Sequence, residues 1–308
     1  MKTVKKLLVN VPFFHKMNID VINEYTNDLH PKCFLVLSKD DGIKYKIRIS
    51  INEKESSVEK ELKAFQYLQK NNVTCLPEIY YYHFGKDFNI LIYEYFEGAS
   101  LEKIHNLTKS DYDIILSDLI PIIKKFDSLK NDHCMSFTRI YNDWYDYFMI
   151  KMGEHVGNMK NESIFSPKEE TAIKKICRSF KDEMKSKQNT FLHYDIKPKN
   201  IVYDQVNKKA YLIDYELGRF GDRLMEFAKI ESRSWNKDYT SHIVDPIFDH
   251  FNVNKTYGKN LFTLYLLYCY IVYYYYDYKI FLDTGSQYHK GQSEIYKTRS
   301  RDLFDRLW

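Results

Sequence analysis

The chain reads as an α+β protein with a small β-rich N-terminal part and a larger, mostly helical remainder. Three observations predict this. The first hundred residues hold short alternating apolar runs separated by turn-forming residues. Most of the rest carries apolar residues at helical spacing. Between helical stretches stand Phe191 to Tyr203, which reads as an apolar lead-in, a polar loop and a short strand, and Tyr211 to Glu216, which reads as an apolar strand ending in a carboxylate.

Lys32 to Ser38 reads as a strand, Lys39-Asp40-Asp41-Gly42 as a tight turn, and Ile43 to Ser50 as the returning strand. The second alternates, with Ile43, Tyr45, Ile47 and Ile49 on one face and Lys44, Lys46, Arg48 and Ser50 on the other. A helix is expected from about Ser57, where Val58, Leu62, Phe65 and Leu68 share a face. Glu61 lies four and seven residues before Phe65 and Leu68, on the inward edge of that face. Ile79 to Phe84 and Phe88 to Tyr95 form a further hairpin turning at Gly85-Lys86-Asp87.

Beyond this point helices dominate. Ile114 to Leu129 has helical spacing, and Pro121 is expected to kink or divide it. Tyr141 to Val156 is aromatic and amphipathic. Ser166-Pro167-Lys168-Glu169 is a capping box that starts a helix with Ile173, Ile176, Phe180 and Met184 on one face. Leu261 to Tyr276 is apolar and tyrosine-rich, too short for a membrane span, and reads as a buried C-terminal helix.

The chemistry concentrates at the loop. Asp204 to Lys209 is turn-like, so the segments on either side form a hairpin that gathers Asp195, Asn200 and Asp214 at one end. Two carboxylates and a carboxamide suit a hard, oxygen-seeking cation such as magnesium. One carboxylate is left to take a proton from a hydroxyl nucleophile. Such a set serves phosphoryl transfer.

The order His193-x-Asp195, Asn200 five residues on, then a hydrophobic strand ending in Asp214, resembles the catalytic loop and metal-binding aspartate of kinase-fold phosphotransferases. Ile213-Asp214-Tyr215-Glu216 followed by Gly221-Asp222-Arg223-Leu224-Met225-Glu226-Phe227-Ala228 is similar to the aminoglycoside phosphotransferase and choline kinase-like group. That resemblance implies a two-lobed protein-kinase-like fold, with a nucleotide-binding lobe at residues 1–97 and a catalytic, acceptor-binding lobe at 98–308. It implies ATP or GTP as co-substrate, Mg2+, and a small hydroxyl-bearing acceptor such as an aminoglycoside or another antibiotic, or a small metabolite. Protein kinases carry Asp-Phe-Gly, a long activation loop and Ala-Pro-Glu, and the sequence has none of these. The lysine in Asp195-Ile196-Lys197-Pro198-Lys199-Asn200 is nonetheless common in protein kinases.

The resemblance also assigns roles. Asp195 accepts the acceptor's proton, and Lys197 neutralises charge on the transferring group. Asn200 and Asp214 hold magnesium. Arg48 stands where many members have lysine and binds phosphate oxygens, positioned by Glu61, with Lys46 in reserve. Glu94-Tyr95-Phe96-Glu97-Gly98 is similar to the segment joining the lobes, so the Glu94 carbonyl and Phe96 amide meet adenine, with Tyr93 behind them. Thr26 to Pro31 takes the place of the phosphate-covering turn, without its Gly-x-Gly-x-x-Gly. His193 is expected to brace the loop, and Glu216 and Asp222 to organise it. A Ser/Thr protein kinase and an inactive kinase-fold binding module are the alternative readings.

Composition excludes other classes. The net charge of +4 is spread along 308 residues with no basic block, so nucleic acid is not a favoured partner. Five scattered cysteines without Cys-x-x-Cys argue against a disulfide framework or zinc site. With Pro12 and His15 interrupting the N-terminal apolar residues, they point to a cytoplasmic protein with no membrane role. From residue 231 onward nine acidic residues stand against ten basic ones, a balance that does not favour a polycationic acceptor.

Overall fold

A computed structural model describes residues 8, 10–25, 32–51, 57–85, 88–157, 164–234 and 237–308. The chain forms two compact units, one of Met1–Ile122 with Pro198–Gly218, the other of Ile123–Lys197 with Arg219–Trp308.

The first unit is built on a five-stranded antiparallel sheet. Its strands are β1 (Ile19–Tyr25), β2 (Lys32–Ser38), β3 (Lys44–Ile51), β4 (Ile79–Phe84) and β5 (Phe88–Glu94), in the order β1-β2-β3-β5-β4. Tyr45, Ile47 and Ile49 of β3 join Phe34, Val36, Ile90 and Ile92 in its core, as the alternation requires. Ile43 departs from that pattern: it precedes β3, its amide donates to Asp41 Oδ1 in the turn (3.0 Å), and its side chain is exposed. Strand β1 has no counterpart in the sequence reading. The tip of the β4–β5 hairpin (residues 86–87) and Thr26–Pro31 lie outside the described residues.

Helix α1 (Ser57–Lys70) buries Val58, Leu62, Ala64, Phe65 and Leu68, and Glu61 with them at 0% exposure. After β5 the chain passes Gly98, whose φ of +116° suits glycine alone, and an added Cβ would stand 2.5 Å from the Tyr203 carbonyl oxygen. That close approach lets Ala99–Ser100 add a strand to the hairpin Ile201–Asp204/Lys209–Leu212. Helix α2 (Lys109–Ser128) runs through Pro121 without being divided. Pro121 and Ser117 both face solvent, so water can satisfy the carbonyl that proline leaves without an N–H.

In the second unit a five-stranded sheet runs in the order Lys130–Asn131, Asn189–Leu192, Arg219–Asp222, Cys134–Ser136, Arg139–Tyr141. Gly221 lies so close to the Trp144 ring that a Cβ there would collide with it. The Ser166 capping box forms as expected, with Ser166 N donating to Glu169 Oε2 at 2.8 Å. The helix it starts ends at Ser179, and Phe180 separates it from a second helix, Lys181–Ser186, where one continuous helix was expected. The apolar tyrosine-rich segment is the helix Leu261–Thr284, buried from Leu261 to Tyr274 and packed against Gln287–Leu307 and Arg223–Ser232. No described helix is long and apolar enough to cross a membrane.

Candidate active site

In the first unit three of the acidic residues singled out in the sequence, Glu61, Asp214 and Glu216, meet around one guanidinium. Arg48, in mid-β3, is 8% exposed, and its Nη1 donates to Glu61 Oε2 at 2.7 Å. The same nitrogen reaches Asp214 Oδ1 at 3.3 Å, and Nη2 donates to Glu216 Oε2. One cation therefore faces three carboxylates. Burial raises the Glu61 carboxyl above its ordinary range, Asp214 and Glu216 push it further, and Arg48 opposes the rise. Burial disfavours the charge on Arg48, yet the carboxylates outweigh it and hold the guanidinium protonated. Glu61 Oε1 is buried with no hydrogen-bond partner among the described residues.

The hairpin brings the two proposed metal ligands side by side. Ile201 pairs with Leu212, and Ile213 N donates to the Asn200 carbonyl at 2.9 Å, so Asn200 and Asp214 flank the open end of one ladder. Asp214 has left-handed backbone geometry (φ 70°, ψ 66°), which aspartate tolerates better than most residues. The residue after it, Tyr215, turns its ring onto Phe65 of α1, 5.5 Å between centroids. No group of three or more His, Cys, Asp or Glu suited to a metal occurs among the described residues. A carboxylate and a carboxamide beside a surplus of negative charge still fit magnesium, which keeps much of its shell from water and phosphate oxygens.

The other first-unit residues take varied positions. Lys46, half-buried, pairs across the ladder with Tyr93. The Tyr93 ring meets Phe65 edge-on, and burial raises its phenol well above the usual value. Glu94 ends β5, its amide donating to the Glu78 carbonyl at 2.9 Å. The Phe96 ring stacks on Tyr211, with centroids 4.0 Å apart and planes within 12°.

The second unit holds the proposed base. His193 is wholly buried, and the Asp195 amide donates to its Nδ1 at 3.3 Å, so it braces the turn. Lys197 Nζ donates to Asp195 Oδ2 at 2.6 Å. Burial would raise the Asp195 carboxyl, but Lys197, Lys229 and Arg233 together outweigh it and hold it below the ordinary value. Tyr194 has a φ of 70°, unusual for a bulky side chain, and its amide donates to both oxygens of buried Glu226 at 3.1 and 2.9 Å. Its ring lies between the Arg219 guanidinium at 3.9 Å and Lys229 Nζ at 4.3 Å. Asp222 caps the helix Arg223–Ser232 through Leu224 N (2.9 Å) and accepts from Tyr265 OH (2.8 Å), an organising role.

Sequence reasoning read Glu216 as an organiser without foreseeing its bond to Arg48. It missed Lys229, Arg233 and Arg219 altogether. The only local signal for Lys229 is its place among Met225, Phe227, Ala228 and Ile230, which makes the helix apolar on nearly every side.

A family model described as "Phosphotransferase enzyme family" matches residues 26–259. No curated protein matches the sequence. Among solved structures, the aminoglycoside phosphotransferase APH(4)-Ia aligns with a TM-score of 0.71 at 14% identity, over 99% of this chain and 98% of that one. A thermostable mutant of it, in ternary complex with AMP-PNP and hygromycin B, aligns at 0.68 and 14% over the same shares. A putative fructosamine-3-kinase from Haemophilus somnus 129PT aligns at 0.65 and 13%, over 99% and 96%. At such identities the likeness establishes the kinase-like α+β fold.

Proposed function

Because the chain belongs to the phosphotransferase enzyme family, whose members phosphorylate hydroxyl groups of small molecules, we propose that it moves the γ-phosphoryl group of ATP or GTP, with Mg2+, onto a small acceptor. The observation that carries this reading is Arg48 held among Glu61, Asp214 and Glu216. Its fork is suited to pairs of phosphate oxygens, and the surplus of carboxylates beside it suits a divalent cation. Asn200 and Asp214 would hold that cation, which would neutralise phosphate charge. The AMP-PNP in one structural relative supports a nucleotide co-substrate.

In the transfer, the bond from the γ-phosphorus to its bridging oxygen breaks as the acceptor oxygen bonds to that phosphorus. The hydroxyl proton passes to Asp195, and the nucleoside diphosphate leaves with the bridging oxygen. The depressed pKa of Asp195 keeps it ionised and able to orient the hydroxyl. Lys197 would stabilise charge on the transferring group, and Lys46 is the reserve phosphate ligand. The Glu94 carbonyl and the Phe96 amide are assigned to the nucleotide's adenine, with Tyr93 behind them. By role, residues 1–97 would bind nucleotide and residues 98–308 the acceptor. A cytoplasmic location suits this co-substrate, and all five cysteines are free thiols.

The test is a screen with purified protein, magnesium and each nucleotide, reading nucleoside diphosphate release. It spans aminoglycosides, macrolides, peptide antibiotics, amino alcohols, sugars and protein substrates. Release dependent on a small hydroxyl compound supports the reading. Wild-type protein that binds no magnesium-nucleotide would leave the inactive binding module as the better account.

A further inference from the structure

Lys229 lies in the second turn of the helix Arg223–Ser232 and is only 6% exposed. Lysine is almost never this buried without a carboxylate partner. Among the described residues no carboxylate lies within ion-pair distance of its Nζ. Its surroundings are the faces of Tyr194 and Tyr273, at 4.3 and 5.2 Å, and the Tyr273 hydroxyl at a long 3.5 Å. Aromatic faces offset only part of the cost of burying a charge.

One helical turn later Arg233 repeats the pattern on the same face. Its guanidinium stacks on Tyr273 at 3.6 Å, and Nη1 donates to Tyr296 OH at 2.8 Å. Its Nε is buried without a hydrogen-bond partner, and again no described carboxylate forms an ion pair with it. Both cations act electrostatically on Asp195, and Lys197 is bonded to that carboxylate directly. Three cations thus act on the proposed base, against two acidic groups, Asp195 itself and the buried Glu226.

This inference rests on the phosphotransferase reading and narrows it. We infer that Lys229 and Arg233 form a subsite for an anionic group, a carboxylate or phosphate, on the acceptor whose hydroxyl meets Asp195. A polycationic or amino-alcohol acceptor would add positive charge where positive charge is already in excess. An anionic acceptor supplies the direct ion-pair partner that the two side chains lack, beyond the more distant counter-charge of Asp195 and Glu226. The arginine fork and the compact ammonium suit carboxylate and phosphate oxygens alike.

The test uses the full-length protein with magnesium and a glycerol-backbone series: glycerate, glycerol 3-phosphate, glycerol and serinol. Binding is read by calorimetry in the presence of AMP-PNP, and turnover by ADP release with ATP. The anionic members should bind at least tenfold more tightly than neutral glycerol or cationic serinol, and comparing the two anions separates carboxylate from phosphate. Lys229→Met and Arg233→Gln should each erase that advantage by at least tenfold, in acceptor KM or Kd rather than in nucleotide KM. Arg233→Gln, at a half-buried helix end, guards against a misfolded Lys229→Met, and melting curves qualify both.

A flat or reversed charge order, or variants that keep the anion preference, overturns the inference. If the wild type instead binds magnesium-nucleotide and phosphorylates a cationic acceptor, the phosphotransferase reading stands and this one falls. If the wild type binds no nucleotide, both fall.

Discussion

Arg48 Nη1 donates to Glu61 Oε2 at 2.7 Å, between two side chains that are almost wholly removed from solvent. An ion pair buried so deeply is weak evidence for stability, because desolvation offsets much of its attraction. Its value lies in orientation: a strand cation is fixed by a helix carboxylate while Nη2 is held by Glu216. If this guanidinium binds phosphate, Arg48→Ala should raise nucleotide KM or lower turnover at least tenfold, about 1.4 kcal/mol or more. Lys46→Ala should do much less. Steady-state kinetics on both variants decide the register, and the reverse ranking would move the role to Lys46.

Glu226 predicts a pH signature. Burial pushes its carboxyl up to about 7 from an ordinary 4.5, helped by Asp195 and opposed by the Tyr194 amide and Lys229. Between those values the folded protein binds more protons than the unfolded chain, so this group's contribution to stability falls as pH rises through the window. Glu226→Gln cannot titrate and should lose that slope. Relative to wild type it should therefore look better at about pH 8 than at about pH 5, by at most ~3 kcal/mol at roughly 1.4 kcal/mol per pKa unit. Denaturant melts of both proteins at the two pH values test this, and parallel curves would exclude it.

Much of this was readable from residues alone, and the failures have physical causes. The Ile201–Leu212 hairpin, α1 with Glu61 on its inner edge, and the Ser166 cap were legible because period, turn chemistry and capping residues agree. Strand β1 was not, since Asp20, Asn23 and Glu24 interrupt its apolar residues and a register shift falls between Val21 and Asn23. Lys229 was invisible because nothing local buries a helical lysine. Its environment is made by Tyr273, forty-four residues further on in another helix.

Substrate class follows from what the segment Asp214 to Glu226 lacks. Among its thirteen residues there is no Ser or Thr, and the stretch runs directly through a 3-10 turn and a strand into a helix. Constitutive activity on a small acceptor is expected, with no activating phosphorylation. Protein expressed in a kinase-free host and shown by mass spectrometry to be unmodified should be active without delay. Robust transfer to generic protein substrates, with none to any small hydroxyl compound, would favour the Ser/Thr kinase reading instead.

The two aspartates should fail differently when removed. Asp214 is proposed to hold the cation that would neutralise the phosphate charge, so Asp214→Ala should weaken the magnesium-nucleotide complex itself. It also takes one carboxylate from Arg48, leaving Glu61 and Glu216 as its partners. Asp195 is assigned to the acceptor hydroxyl, which is no part of that complex. Asp195→Ala should abolish most turnover while nucleotide binding stays close to wild type. Its loss also frees Lys197 and leaves Lys229 and Arg233 with less counter-charge, so some loss of stability is expected. Melting curves without ligand must therefore come first, followed by calorimetric titration of magnesium-ATP into each folded variant. If both bind nucleotide equally well, Asp214 is not the metal ligand. If Asp195→Ala turns over at the wild-type rate, the proton acceptor lies elsewhere, and the case for a subsite built beside Asp195 falls with that assignment.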